Sequence, residues 1–177
     1  VGRETFRLAR QYVDEVILVS TDEICAAIQD IFEDNRTIAE PAGALAVAGI
    51  KKYCARESCS ERTLIALNCG ANINFDRLRH VAERADIGAG REALLAVEIP
   101  EEPGSFLRFC QLLGRRSVTE FNYRLAGRAA AHIFVGLKTA SREDGRAVAA
   151  GLRGRGYEAL DLTDDEMAKV HVRHMVG

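Results

Sequence analysis

Asn68-Cys69-Gly70-Ala71-Asn72-Ile73-Asn74-Phe75 is the stretch around which the rest of the chain arranges itself. Before it, Thr63-Leu64-Ile65-Ala66-Leu67 is a short apolar run that reads as a buried parallel strand. After it, Phe75, Leu78, Ala82 and Ala85 recur at helical spacing. A strand that ends in a small glycine-containing turn and opens into a helix is a common way to meet a ligand. The glycine lets the backbone come close, and the crevice lies at the carboxyl ends of the strands. Cys69 stands at that point and is a candidate ligand contact.

Working towards the N-terminus, Glu40-Pro41-Ala42-Gly43-Ala44 opens the most apolar helix pattern of the chain. Pro41 suits a first helical turn, where its missing N–H costs nothing. The small residues that follow allow close backbone packing, and Glu40 is placed to serve either a site or the positive end of a helix. Ser20 lies three residues before Glu23, a capping-box pattern. It opens a helix with Ile24, Ala27, Ile28, Ile31 and Phe32 on one face, and Cys25 reads as part of its core. Glu15 to Val19 reads as a strand, and Glu4 to Val13 as an amphipathic helix.

Towards the C-terminus, Asp86 to Gly90 reads as a linker, and the pattern changes at Arg91. Strands are expected over 93–99, 118–125, 130–138 and 158–162, and helices over 105–113 and 141–152, with a tight turn at Gly127 and Arg128. This βαββαβ order is the ferredoxin-like plan. Thr163 and Glu166 form a second capping-box pattern, which predicts a helix over 164–175. The fold class expected is α/β followed by an α+β ferredoxin-like domain, divided as 1–88, 91–165 and a connecting helix at 166–177.

Composition excludes several classes. The chain has 177 residues, is 47% hydrophobic and carries a net charge of −2. It has no electrostatic footprint for nucleic acid or an anionic membrane. No apolar run reaches the ~18 residues of a membrane span, and no basic-then-apolar leader is present. The cysteines are Cys25, Cys54, Cys59, Cys69 and Cys110. Their number is odd and no Cys-x-x-Cys pair occurs, so reduced thiols in a cytoplasmic protein are expected. His171 and His174 are the only close histidines, and further metal ligands are missing.

Cys69-Gly70-Ala71-Asn72-Ile73-Asn74-Phe75 resembles the Ser-Gly-Ala-Asn-hydrophobic-Asn-Phe segment of the biosynthetic threonine dehydratases, pyridoxal-phosphate enzymes of the tryptophan-synthase-β-like class. Glu40-Pro41-Ala42-Gly43-Ala44 is similar to their Glu-Pro-Ser-Gly-Ala. Ile99-Pro100-Glu101-Glu102-Pro103-Gly104-Ser105-Phe106, Ser117 to Arg124 and Ile133-Phe134-Val135-Gly136 resemble the start of their regulatory region, and Asp164 to Lys169 also matches.

The resemblance implies a parent enzyme that deaminates L-threonine to 2-oxobutanoate and ammonia, inhibited by isoleucine, counteracted by valine, and tetrameric. It implies cofactor contacts at Cys69, Gly70 and Glu40. In the family a hydroxyl or thiol at the position of Cys69 hydrogen-bonds the pyridine nitrogen. Family members commonly carry serine there, and a thiol is the weaker partner. The Pro103-Gly104-Ser105 turn resembles those of ACT domains, and Pro103, Gly104, Ser105 and Asn122 are the expected effector-facing positions. The lysine for the Schiff base and the glycine-rich phosphate loop of the family are not in this sequence. Lys51 and Lys52 match neither. No catalytic residue is therefore expected here, and the chain alone is expected to be inactive. The alternative is a stand-alone ACT-like module that binds an amino acid.

Overall fold

The computed structural model describes residues 2–125 and 129–172, and the chain divides into two compact units, Val1–Ala85 and Asp86–Gly177. The expected turn at Gly127 and Arg128 and the His171–His174 pair fall outside the residues whose side chains are described.

The first unit is built from α1 (Arg3–Tyr12), α2 (Thr21–Asn35), α3 (Pro41–Glu57) and most of α4 (Arg77–Gly88). Ser20 caps α2 as its sequence pattern requires. Its hydroxyl accepts the Glu23 amide at 3.2 Å, and the Glu23 carboxylate accepts the Ser20 amide at 2.6 Å. Pro41 occupies the first turn of α3. Cys25, Ala27, Ile28 and Ile31 of α2 pack against Ala44 and Ala48 of α3, with Val81 and Ala85 of α4 closing the cluster. Alanine at the contact positions lets the helices approach closely. Arg84 and Asp22 form an ion pair at 3.4 Å inside the unit, both side chains almost wholly buried.

Two elements read from the sequence do not form here. Neither Glu15–Val19 nor Thr63–Leu67 is a strand. A strand needs a hydrogen-bonded neighbour, and among the described residues the one sheet is that of the second unit. Both apolar runs are consequently largely exposed, with Val16 at 77%, Leu18 at 81%, Ile65 at 82% and Leu67 at 78%, although Val19 packs against the core. The helix after the glycine turn starts at Arg77, so Phe75 lies outside it and is exposed. Helix α1 forms, but none of its residues is buried.

The second unit follows the expected plan: β1 (Glu92–Pro100), α5 (Ser105–Leu113), β2 (Val118–Leu125), β3 (Ala130–Lys138), α6 (Arg142–Arg153) and β4 (Glu158–Asp161). The sheet order is β2-β3-β1-β4, antiparallel throughout. Leu95, Val97 and Ile99 of β1 and Ala131, Ile133, Val135 and Leu137 of β3 form one core with Phe109 and Leu113 of α5 and Ala149 and Leu152 of α6. Each fully buried leucine, isoleucine or phenylalanine there contributes about 1.5–3 kcal/mol. The opposite sheet face carries a smaller cluster of Ile87, Leu94, Phe134 and Ala168. Asp86 to Gly88, expected in a linker, is the last turn of α4.

The C-terminal helix differs from expectation as well. Thr163 does not cap it. Its hydroxyl accepts the Leu94 amide of β1 at 3.1 Å and donates to Asp161 at 2.5 Å. Asp165 caps instead, accepting the Ala168 amide at 2.8 Å, and the backbone runs as a π-helical segment over Ala168–Val172.

Candidate functional site

The turn 68–72 and the start of α3 are locked together. The Glu40 amide donates to the Gly70 carbonyl at 3.1 Å, and the Asn72 amide donates to the Glu40 carboxylate at 3.1 Å. Gly70 has φ +95°, and a side chain there would run into the Glu40 carboxylate. A β-carbon on Gly43 would stand 2.5 Å from the Cys69 carbonyl oxygen and 2.9 Å from Asn68 Oδ1. Both glycines are thus fixed by close approach. The structure brings Glu40 and Gly70 together, with Cys69 exposed at the same turn. The small-residue run at 42–44 signals the close packing seen at Gly43, whereas nothing local marks the Asn72 amide as a partner of Glu40.

The lysines are engaged elsewhere. Lys51 pairs with Asp30, Lys52 with Glu23 at 3.0 Å, Lys138 with Asp86 and Lys169 with Glu166 at 3.2 Å.

In the second unit, Gly104 is the N-cap of α5 at φ +86°, with Pro103 in the turn before it. Ser105 is buried, and its hydroxyl accepts from Arg108 at 2.9 Å. Asn122 is not on this side of the sheet. It pairs with Phe134, whose side chain belongs to the cluster on the far face, whereas Phe121 and Tyr123 pair with the core residues Val135 and Ile133. Phe121 and Tyr123 meet Phe106 of α5 edge-on, with ring centroids 5.5 and 6.2 Å apart. The Tyr123 hydroxyl donates to Glu101, and this hydrogen bond, with a little burial, raises the phenol above its ordinary pKa. Glu101, Phe106, Phe121 and Tyr123 therefore frame the Pro103–Ser105 turn. Alternation alone marked β2 as a strand but could not say which parity faces the helix.

The model of the C-terminal regulatory domain of threonine dehydratase matches residues 83–172. The chain belongs to that family. The model of pyridoxal-phosphate dependent enzymes matches residues 1–70. The chain is 55% identical over 177 residues to the biosynthetic L-threonine dehydratase IlvA of Burkholderia multivorans and 56% identical over 178 residues to that of Escherichia coli. In both cases all of this chain aligns with 35% of the relative. It is 45% identical over 190 residues to the mitochondrial threonine dehydratase of Saccharomyces cerevisiae, covering 33% of it. The chain thus spans about a third of the length of these curated relatives. The processed form of threonine deaminase isoform 2 from Solanum lycopersicum aligns in structure with a TM-score of 0.48 at 37% identity, over 49% of this chain and 24% of that one. Among the described residues no helix is long and apolar enough to cross a membrane.

Proposed function

We propose that this chain is part of a pyridoxal-phosphate-dependent threonine dehydratase, with residues 1–88 completing one wall of the cofactor pocket and residues 91–165 sensing an amino-acid effector. The observation that carries the reading is the lock of Glu40 onto Gly70 and Asn72, which leaves Cys69 exposed on a turn with no room for side chains at positions 43 and 70. These residues fit the nitrogen edge of a flat aromatic cofactor: glycines admit the ring closely, and a thiol offers a neutral hydrogen-bond partner. When bound, the cofactor supplies the electron sink for loss of the L-threonine α-proton and hydroxyl. Cys69 would orient the ring and leave its nitrogen uncharged, the state that favours elimination. Glu40 holds the turn that carries Cys69. No lysine of this chain is placed to carry the cofactor, so the covalent attachment and the phosphate cradle belong to the part of the relatives that this chain does not span.

The effector site is placed at Pro103, Gly104 and Ser105, with the Phe106, Phe121 and Tyr123 rings offering apolar contact to a branched side chain such as that of isoleucine or valine. Asn122 belongs to this site only if a second domain or subunit approaches the other sheet face, as a homo-oligomer of the family type allows. The free cysteines suit the cytoplasm.

The test is made on the full-length protein. L-threonine should yield 2-oxobutanoate, and L-isoleucine should inhibit. Cys69→Ala should weaken cofactor binding about tenfold, the worth of one hydrogen bond, and Cys69→Ser should restore it. Binding of L-isoleucine without any 2-oxobutanoate formation would overturn the enzyme reading and leave the amino-acid-binding module.

A further inference from the structure

Helix α3 ends in a left-handed residue, Ser58 at φ 49° and ψ 49°, whose amide donates to the Cys54 carbonyl. The next amide, that of Cys59, donates to the same carbonyl at 3.3 Å. A hydrogen bond spanning six residues in this way folds the chain back over the last helical turn. It brings the side chains of its first and last residues into contact, a position ordinarily filled by two apolar groups. Here both are cysteines. Burial, and after it the Cys59 thiol, raises the pKa of Cys54, and both residues are half-buried, so a small reagent can reach them.

We propose that Cys54 and Cys59 form a modification site, a thiol pair that closes to an intramolecular disulfide by exchange with a low-molecular-weight disulfide. A backbone hydrogen bond of 3.3 Å between the two residues brings their α-carbons near each other, as a disulfide requires. Two of the remaining three cysteines differ in exposure, and Cys110 lies in the second unit against its core. Cys25 is buried in the α2–α3 core, and Cys69 is exposed on the turn at 68–72.

Burial and the neighbouring Cys59 sulfur hold the Cys54 proton more firmly than in a free thiol. One of the two sulfurs, as thiolate, attacks one sulfur of the small disulfide, the S–S bond breaks, and one small thiol leaves. The other sulfur then loses its proton and displaces the second small thiol from the first. The protein gives up two electrons and two protons, and the small disulfide takes them up as two thiols. A disulfide between residues so near in sequence adds little loop-closure entropy. Its effect is local. It fixes the end of α3 at the start of the segment that leads to Asn68–Gly70.

The experiment incubates the natively folded full-length protein with graded ratios of reduced to oxidised glutathione. Free thiols are alkylated, and the protein is digested with trypsin without reduction. Trypsin cuts after Lys52, Arg56 and Arg62, so the disulfide appears as Tyr53-Cys54-Ala55-Arg56 linked to Glu57-Ser58-Cys59-Ser60-Glu61-Arg62. The expected result is this linked pair, lost on addition of dithiothreitol. In Cys54→Ser, the peptide bearing Cys59 should carry glutathione and stop there. In Cys59→Ser, Cys54 should likewise go no further than a mixed disulfide with glutathione. Recovery of the two wild-type peptides unlinked, across ratios at which Cys69 is already modified, overturns the proposal. So does a link from either residue to Cys25, Cys69 or Cys110 in place of the mutual one.

Discussion

The carboxylate of Glu40 fills the space where Gly70 lacks a side chain, while the Glu40 amide bonds the Gly70 carbonyl at 3.1 Å. An acidic residue and a glycine thirty positions apart therefore act as one structural joint between the start of α3 and the turn bearing Cys69. The joint leaves no alternative residue at position 70, because a side chain must both adopt φ +95° and displace the carboxylate.

Gly70→Ala should therefore cost about 2–4 kcal/mol, combining backbone strain with overpacking. Gly43→Ala should cost a similar amount, since its β-carbon meets the rigid Cys69 carbonyl rather than a movable side chain. Gly49→Ala is the control: nothing lies within 4 Å of its β-carbon, and mid-helix alanine should stabilise by up to about 1 kcal/mol. Urea unfolding of the three variants checks the ranking, and equal midpoints for Gly43→Ala and Gly49→Ala would remove the joint from the account.

Thr163 serves β1. Its buried hydroxyl takes the Leu94 amide at 3.1 Å and gives its proton to Asp161 at 2.5 Å. Thr163→Val keeps the shape and strands that amide in the interior, at about 1–3 kcal/mol. Thr163→Ser keeps the hydroxyl and should recover most of the loss. Hydrogen exchange at the Leu94 amide is the direct readout: it should speed up strongly in the valine variant and little in the serine variant.

These two cases lie beyond what the sequence makes legible, in contrast to the strands. The apolar run at 93–99 and the alternating stretches at 118–125 and 130–138 find their partners within the same short unit, so local pattern and pairing agree. The runs at 15–19 and 63–67 carry the same apolar signal but have no partner among the described residues. A strand cannot be completed by its own composition. Thr163-x-x-Glu166 matches a capping box by spacing, yet the hydroxyl is claimed by an amide 69 residues away, a competition that no local pattern displays. Cys54 and Cys59 follow no familiar cysteine spacing and became a pair only through the backbone turn between them. Glu40 and Cys69 were visible because small residues and glycine surround them. The partnership of Glu40 with Gly70 and Asn72 was not, since it depends on where α3 starts relative to a distant turn.

Asp86 gives the second unit an acid-sensitive contact. Burial pulls its carboxyl upward, but hydrogen bonds from Lys138 and Arg91, with their charges, outweigh this and hold it below the usual carboxylate range. Arg91 Nη2 stands 2.9 Å from Oδ1. A carboxyl depressed on folding adds stability above its unfolded pKa of about 3.9 and loses it as pH falls through the folded value. The groups remain partly exposed, so Asp86→Asn should cost no more than about 1 kcal/mol at pH 7. The difference between wild type and variant should shrink as pH falls through the folded value, and shrink in high salt. A difference that persists unchanged at acid pH would assign the effect to packing.

Cys25 and Cys69 should differ widely in reactivity. Burial, followed by the nearby Asp22 charge, pushes the Cys25 thiol up to about 11 against a weaker pull from Arg84. The thiolate is the reactive form. At pH 8 its population at Cys25 is smaller than at a free thiol by about two orders of magnitude. Closure of α2 against α3 also hides the sulfur, as Cys25 is only 4% exposed. Iodoacetamide should therefore label Cys69 at least about a hundredfold faster than Cys25 in the native protein, and raising the pH towards 10 should not close the gap. In 6 M guanidinium the two should react alike, because both the desolvation and the Asp22 field are features of the fold. Rapid native labelling of Cys25 would mean that the α2–α3 core, packed through Ala27, Ala44 and Ala48, opens readily.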